Sequence, residues 1–154
     1  MAESEFVAEP AELPLTGIRV LDLTRVLSGP FCTMVLADLG AEVVKVECPD
    51  RGDDARAIGP FLPTGESSYF ASLNRGKQSV VLELKVEADR AKYMQLVKQA
   101  DVVVENFRPA VMDQWGLGEA HLRSLNARLI YASISGFGKA GARAPQAAYD
   151  VIIQ

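Results

Sequence analysis

The sequence predicts an α/β fold built on an open, mainly parallel sheet with flanking helices. Short runs rich in β-branched residues alternate with helix-like segments from Leu15 onward, the pattern of strand–helix–strand units. The first run, GIRVLDLT at 17–24, is nearly continuously apolar, as expected of a strand buried in a parallel sheet. A compact strand–helix–strand unit is already complete within residues 17–47.

Taken in order, an acidic leader, residues 1–14, is expected to be mobile and ends at Pro14. The strand 17–24 is followed by SGPFCTMVLADLG (28–40), a helix with Ser28 or Gly29 as its cap and Pro30 in the first turn. Phe31, Met34, Val35 and Leu39 are its apolar residues, and Gly40 ends it. AEVVKVE (41–47) is the second strand. Residues 48–67, rich in Pro, Gly and charge, read as an ordered loop because Ile58, Phe61 and Leu62 punctuate it. SVVLELK (79–85) reads as the third strand and VEADRAKYMQLVKQA (86–100) as a helix with Tyr93, Met94 and Val97 on one face. DVVVENF (101–107) is the fourth strand, RPAVMDQWG and GEAHLRSLN are short helices, and RLIYASIS (128–135) is the fifth strand. PQAAYDVIIQ begins a further helix with no residue to stop it, so the chain reads as cut off at Gln154.

Composition bounds the function. The 154 residues are 49% hydrophobic and 23% charged, enough for one modest core, and the net charge of -4 supplies no general field toward nucleic acid or anionic lipid. No apolar run approaches the roughly 20 residues that cross a bilayer, and the acidic start lacks a signal peptide's features. A cytoplasmic protein is the expectation, with no nucleic-acid or membrane partner. Cys32 and Cys48 form no metal or disulfide pattern and read as small buried apolar residues. His121 reads as a surface residue, and no metal is expected. Asp22 and Asp38 read as structural, capping or pairing with Arg19 or Arg25. Glu47, Asp53 and Asp54 are either a cation site or solvated loop carboxylates.

SISGFGKAGARAP (133–145) contains G-x-G-x-x-G at Gly136, Gly138 and Gly141. A dinucleotide fingerprint requires its glycines to open a helix after the first strand, with an acidic residue about 20 positions on. Here the glycines follow the fifth strand, and Pro145 disfavours helix at Ala144. NAD is therefore not the expected cofactor. In open α/β sheets ligands sit outside the carboxyl ends of strands, which here carry Thr24–Gly29, Glu47–Asp50, Asn106–Arg108 and Ser135–Gly138.

Several stretches then align with one family. LTGIRVLDLTRVLSGPFCTMVLADLGAEVVKVE, GDDAR, NRGKQSVVLELK, ADVVVENFRPAVMDQWGLG, LNARLIYASISGFG and AYDVIIQ, in this order, resemble the N-terminal part of the class III (formyl-CoA transferase type) CoA-transferases. That family also contains the α-methylacyl-CoA racemases. The resemblance implies a Rossmann-like large domain, here truncated, with residues 15–154 as the N-terminal part of its CoA-binding portion. It also implies an interlocked homodimer, and exchange of CoA between an acyl-CoA and a small carboxylic acid through an aspartyl anhydride. Dicarboxylate-type enzymes using succinyl-CoA are the nearest match; a racemase-type enzyme and a non-catalytic CoA-binding fragment are the alternatives.

The family's nucleophilic aspartate lies beyond the Y-D-x-x-x-Q motif, so Asp150 is not that residue and this chain alone is expected to be inactive. Tyr149 stands where racemases carry an acid/base histidine. With an ordinary pKa near 10, a tyrosine is a poor base at neutral pH, which favours transfer. The resemblance places CoA against Leu27 and Ser28, against Leu82, Glu83, Leu84 and Lys85, and against Asn106, Phe107 and Arg108. Tyr149 and Asp150 border the thioester. Cys48, Gln114 and Ala147 replace basic residues of relatives, shifting phosphate contact toward Arg75, Lys77, Arg108 or Arg51. Arg75 and Lys77 are open to a second reading as a solvated turn. Phe107 and Trp115 read as core aromatics before ligand stackers.

Overall fold

The computed structural model describes residues 12–148. They form five strands, β1 (Arg19–Asp22), β2 (Glu42–Glu47), β3 (Lys77–Val81), β4 (Val102–Glu105) and β5 (Ile130–Ser133). The helices are α1 (Ser28–Asp38), α2 (Ser68–Asn74), α3 (Glu87–Val97), α4 (Val111–Gln114) and α5 (Glu119–Leu125), with a 3-10 turn at Asp54–Ala57. The sheet order is β3-β2-β1-β4-β5, and every pairing is parallel. The chain winds outward from β1 to β3 and then crosses back to β4, so the winding reverses between β1 and β4. That reversal opens a crevice at the carboxyl edge of the sheet.

Period-2 alternation divides the strands between two faces. Leu21, Leu23, Val103, Leu82 and Leu84 cluster with Tyr93 and Val97 of α3, Met112 of α4 and Leu122 of α5. Val20, Val43 and Val104 form the second cluster, backed by Leu36 and Ala37 of α1. Each fully buried Leu or Val contributes roughly 1.5–3 kcal/mol of apolar transfer. The α1 face becomes polar toward the carboxyl edge, because Asp22, Thr24 and Lys45 continue the rows begun by Val20 and Val43.

Several expectations are corrected. The third strand runs 77–81, not 79–85: Leu82 and Leu84 are buried from the segment that follows it. Helix α1 turns Gly29, Pro30, Thr33 and Met34 inward, while Phe31, Val35 and Leu39 are exposed; the inner stripe is the one of small residues that lets the helix lie close to β1. Neither Ser28 nor Gly29 caps it, since the cap position is Leu27 and makes no side-chain bond. Cys32 is exposed on α1, and Cys48 is half-buried with its thiol donating to the Gly52 carbonyl at 3.2 Å. Residues 48–67 are ordered, but by polar contacts: Asp53 caps the 3-10 turn and Ser67 caps α2, while Ile58, Phe61 and Leu62 are exposed. His121 is exposed, as expected. The further helix anticipated after Pro145, and residues 1–11 of the leader, lie outside the described residues in whole or large part.

Candidate functional site

The carboxyl edge is built around three buried side-chain clusters. Asp22, at the end of β1, accepts from the Thr24 N–H (2.9 Å) and hydroxyl (2.5 Å), from Thr33 Oγ of α1 (2.6 Å) and from Lys77 Nζ of β3 (3.0 Å). Lys77 Nζ also donates to the Pro30 carbonyl and to Asn74 Oδ1, which ties α1 and α2 to the sheet. Burial lowers the Lys77 ammonium from its ordinary value, and attraction to Asp22 opposes the shift. Asp22 thus pairs with Lys77, not with Arg19 or Arg25, and Asp38 pairs with Arg75.

The second cluster joins Lys45 to Asp53. Their charged atoms are 2.8 Å apart, with side chains 2% and 0% exposed. The third is Glu47, which accepts from Arg56 Nε and Nη2 at 2.7 Å each, from Ser79 Oγ at 2.6 Å and from the Asp53 N–H at 2.8 Å. The Arg56 guanidinium lies 3.7 Å from the centre of the Phe70 ring, a cation–π contact that fixes its plane. Glu47 and Asp53 are therefore neither a cation site nor solvated carboxylates: each already holds a cation from this chain. Among the described residues no three His, Cys, Asp or Glu converge as metal ligands.

Above these clusters opens a cleft of about 450 Å³. Leu23, Thr24 and Arg25 of the β1–α1 turn line it together with Lys45, Glu47 to Asp53, Leu82 to Lys85, Phe107, Arg108 and Trp115. Phe107 and Trp115 meet edge to face, centroids 5.2 Å apart, and Arg25 lies 5.3 Å from the Phe107 centroid. The two aromatics pack on the core, as expected, and also form one wall of the cleft. Arg51, Lys85 and Arg108 are exposed here and have no ion-pair partner among the described residues. The cleft thus offers three uncommitted cations, backbone edges and an aromatic wall, which suits an extended, multiply charged ligand with an aromatic end.

Of the residues singled out from sequence, Leu82, Glu83, Leu84, Lys85, Phe107 and Arg108 are brought together in this cleft. Leu27 and Ser28 begin α1 just beyond its lining and are exposed. Asn106 reaches it indirectly: its side-chain amide accepts from the Arg25 N–H (2.9 Å) and donates to the Arg25 carbonyl (2.8 Å). Arg75 and Lys77 do not join the lining. They sit at the amino end of β3, with Arg75 paired to Asp38 and Lys77 held internally. Tyr149 and Asp150 lie outside the described residues. The glycine loop after β5 opens no helix among the described residues; Gly138 and Gly141 take positive φ, and a turn follows at Ala144. Sequence reasoning missed Lys45 and Thr33 as site builders and misjudged the role of Asp53. A lysine inside an otherwise apolar strand, AEVVKVE, was the available signal, because it demands a buried carboxylate.

A second cavity, about 580 Å³, opens between the ends of β4 and β5 and is bordered by Glu105, Arg108, Tyr131 and Lys139 among others. Burial and the neighbouring Glu105 carboxylate push the Tyr131 phenol well above its ordinary value, so its hydroxyl keeps its proton. Arg108 borders both cavities.

Residues 15–154 match the family model for CoA-transferase family III. The chain is 52% identical over 141 residues to acetyl-CoA:oxalate CoA-transferase of Acetobacter aceti, covering 92% of this chain and 36% of that protein. It is 46% identical over 139 residues to succinyl-CoA:glutarate CoA-transferase of Mus musculus, covering 90% of this chain and 32% of that protein. Among solved structures, a CAIB/BAIF family protein from Brucella suis superposes with a TM-score of 0.87 at 43% identity, over 93% of this chain and 39% of that one. The chain therefore spans about a third of the length of such relatives, and in fold and sequence it belongs to CoA-transferase family III.

Proposed function

We infer that the protein containing this chain is an acyl-CoA:carboxylate CoA-transferase, and that residues 15–154 supply the N-terminal part of its CoA-binding domain. The observation that carries this is the cleft over β1 to β4, where Leu82–Lys85, Phe107 and Arg108 converge with unpaired cations. Arg51, Lys85 and Arg108 take the phosphates of CoA, and the β1–α1 turn takes its extended portion along the backbone. The names of the relatives from Acetobacter aceti and Mus musculus support a small dicarboxylic acid as acceptor and succinyl-CoA as a donor.

Two of the carboxylates that line the cleft, Glu47 and Asp53, are already engaged, which supports a nucleophile from a later segment. Glu47 and Asp53 are each held by a cation and by amide donors, which lowers their nucleophilicity. An aspartate outside the described residues attacks the thioester carbonyl and expels CoA thiolate, leaving an acyl-aspartyl anhydride. The acceptor carboxylate attacks the aspartyl carbonyl of that anhydride and expels the donor acid as its free carboxylate; the thiolate then attacks the acceptor's acyl carbonyl, forming the new thioester and freeing the aspartate. Preorganised N–H donors hold the developing oxyanion. Tyr149, in the position of a racemase histidine, supports transfer over racemisation.

The protein works in the cytoplasm as an interlocked homodimer; the exposed apolar stripe of α1 supports an assembly. No described helix is long and apolar enough to cross a membrane. The test is exchange of CoA from succinyl-CoA to labelled dicarboxylates by the full-length protein, with hydroxylamine present to trap the anhydride. Transfer with a trapped acyl adduct is expected. Absence of transfer, with α-proton exchange on a branched acyl-CoA instead, would assign the protein to the racemase branch.

A further inference from the structure

The turn joining β1 to α1 is held at three consecutive residues by side chains from three other segments. Lys45 Nζ donates to the Thr24 carbonyl at 2.8 Å, the Asn106 amide brackets Arg25, and Asp53 Oδ1 accepts the Val26 N–H at 3.0 Å. Val26 is the residue in most need of a tether. It is β-branched yet sits at φ 69°, in the left-handed region that such side chains strongly disfavour.

Asp53 is well placed to hold it. Its side chain is fully buried, its second oxygen lies 2.8 Å from Lys45 Nζ, and Oδ1 also accepts the Ala55 N–H at 2.9 Å. Its own N–H is fixed by Glu47. The carboxylate is therefore anchored to β2 and to the 3-10 turn before it reaches Val26, and Thr24, Arg25, Lys45 and Asp53 all border the cleft.

We propose that the buried Lys45–Asp53 pair is a positioning element for ligand binding: it holds Val26 left-handed and so presents the backbone of residues 24–28 to the CoA moiety. The proposal rests on the CoA-transfer reading above. Neither residue need touch the reacting atoms. Without Asp53, Val26 relaxes toward a right-handed or extended conformation, the peptide after it rotates, and the binding-competent turn becomes a minor population. Apparent affinity falls by that population.

The mechanism makes a specific demand, because glycine adopts positive φ without strain. In the full-length protein, Asp53→Ala and Val26→Gly are made singly and together, and coenzyme A binding is measured by calorimetry beside the thermal midpoint. Asp53→Ala is expected to weaken binding about tenfold with valine present, and by less than about threefold in the Val26→Gly background. It lowers the thermal midpoint in both backgrounds, because Lys45 loses its partner. An equal loss of affinity in both backgrounds, or none in either, overturns the proposal.

If Asp53→Ala does not fold, amide exchange in the unmodified protein decides. A Val26 N–H that is protected supports the tether, and one that exchanges like a free loop amide removes it. A wild-type protein that binds no coenzyme A overturns the CoA-transfer reading, and the ligand role of the pair with it. Tight binding that is indifferent to Asp53 overturns this proposal alone.

Discussion

The Glu47 carboxylate, 3% exposed, gathers both arms of Arg56, the Ser79 hydroxyl and the Asp53 N–H. Burial by itself raises its pKa, but the hydrogen bonds from Arg56, Ser79 and Asp53, with the Arg56 charge, outweigh burial and bring it from 4.5 down to about 2. Arg56 shifts upward in return, chiefly through its bonds to Glu47. Because the folded value is depressed, the unfolded chain binds the proton first as pH falls. The stabilisation is complete above about pH 5 and is lost as pH drops through 4.5 toward about 2, a swing of about 3 kcal/mol. Glu47→Gln removes the titrating group. The expected outcome is a fall in unfolding free energy between pH 7 and pH 2 that is smaller by that amount than in wild type, read from urea unfolding at both values. An acid limb of unchanged steepness would show that other carboxylates set it.

At the scale of elements, α1 packs on the turn that follows β1 through a position that only glycine fills. A Cβ on Gly29 would lie 2.2 Å from Thr24 Cβ and 2.7 Å from its hydroxyl oxygen. Thr24 cannot retreat, since it is 1% exposed and held twice by Asp22. Gly29→Ala therefore destabilises the protein by about 2 kcal/mol through overpacking, although alanine is the better helix former by about 1 kcal/mol. Chemical denaturation reads the sign directly, and a stabilised variant would contradict the close approach. This packing also explains what the sequence could and could not convey. Apolar runs such as VVVE disclose strands because burial on both faces leaves no polar alternation. Apart from Met34, the inner face of α1 was not legible, because glycine, proline and threonine carry the rest of it while Phe31, Val35 and Leu39 point away. Leu82 and Leu84 continue the alternation of β3 in sequence, yet they are buried beyond its last ladder pair, Glu47 with Val81. Part of the cleft lining was readable: Phe107 and Arg108 follow a strand end, Leu82–Lys85 were singled out by the family resemblance, and all of them reach the cleft. The ion pairs of Lys45 with Asp53 and of Lys77 with Asp22 were not, because each joins segments that only the folded sheet brings together.

At the scale of the whole molecule, α1 leaves an apolar ridge uncovered among the described residues. Phe31, Val35 and Leu39 are 53%, 38% and 40% exposed at successive i, i+4 positions on α1, a continuous apolar ridge beside the cleft-forming turn. Burying such a ridge is worth more than any contact it makes here. If a second copy covers it, Phe31→Glu together with Val35→Glu in the full-length protein places carboxylates in the interface. Sedimentation then moves from dimer to monomer, while the far-ultraviolet circular dichroism of the sheet and helices is retained. If later segments of the same chain cover the ridge instead, the same substitutions lower the thermal midpoint without changing the assembly of the protein that remains folded. A dimer that keeps both its assembly and its midpoint would mean that the ridge faces water, and the homodimer reading would lose the surface on which it rests. The substitutions lie on the outward side of α1, away from Thr33 and Met34, so the Asp22 cluster that organises the cleft stays intact and any loss of CoA transfer in the monomer reports on assembly.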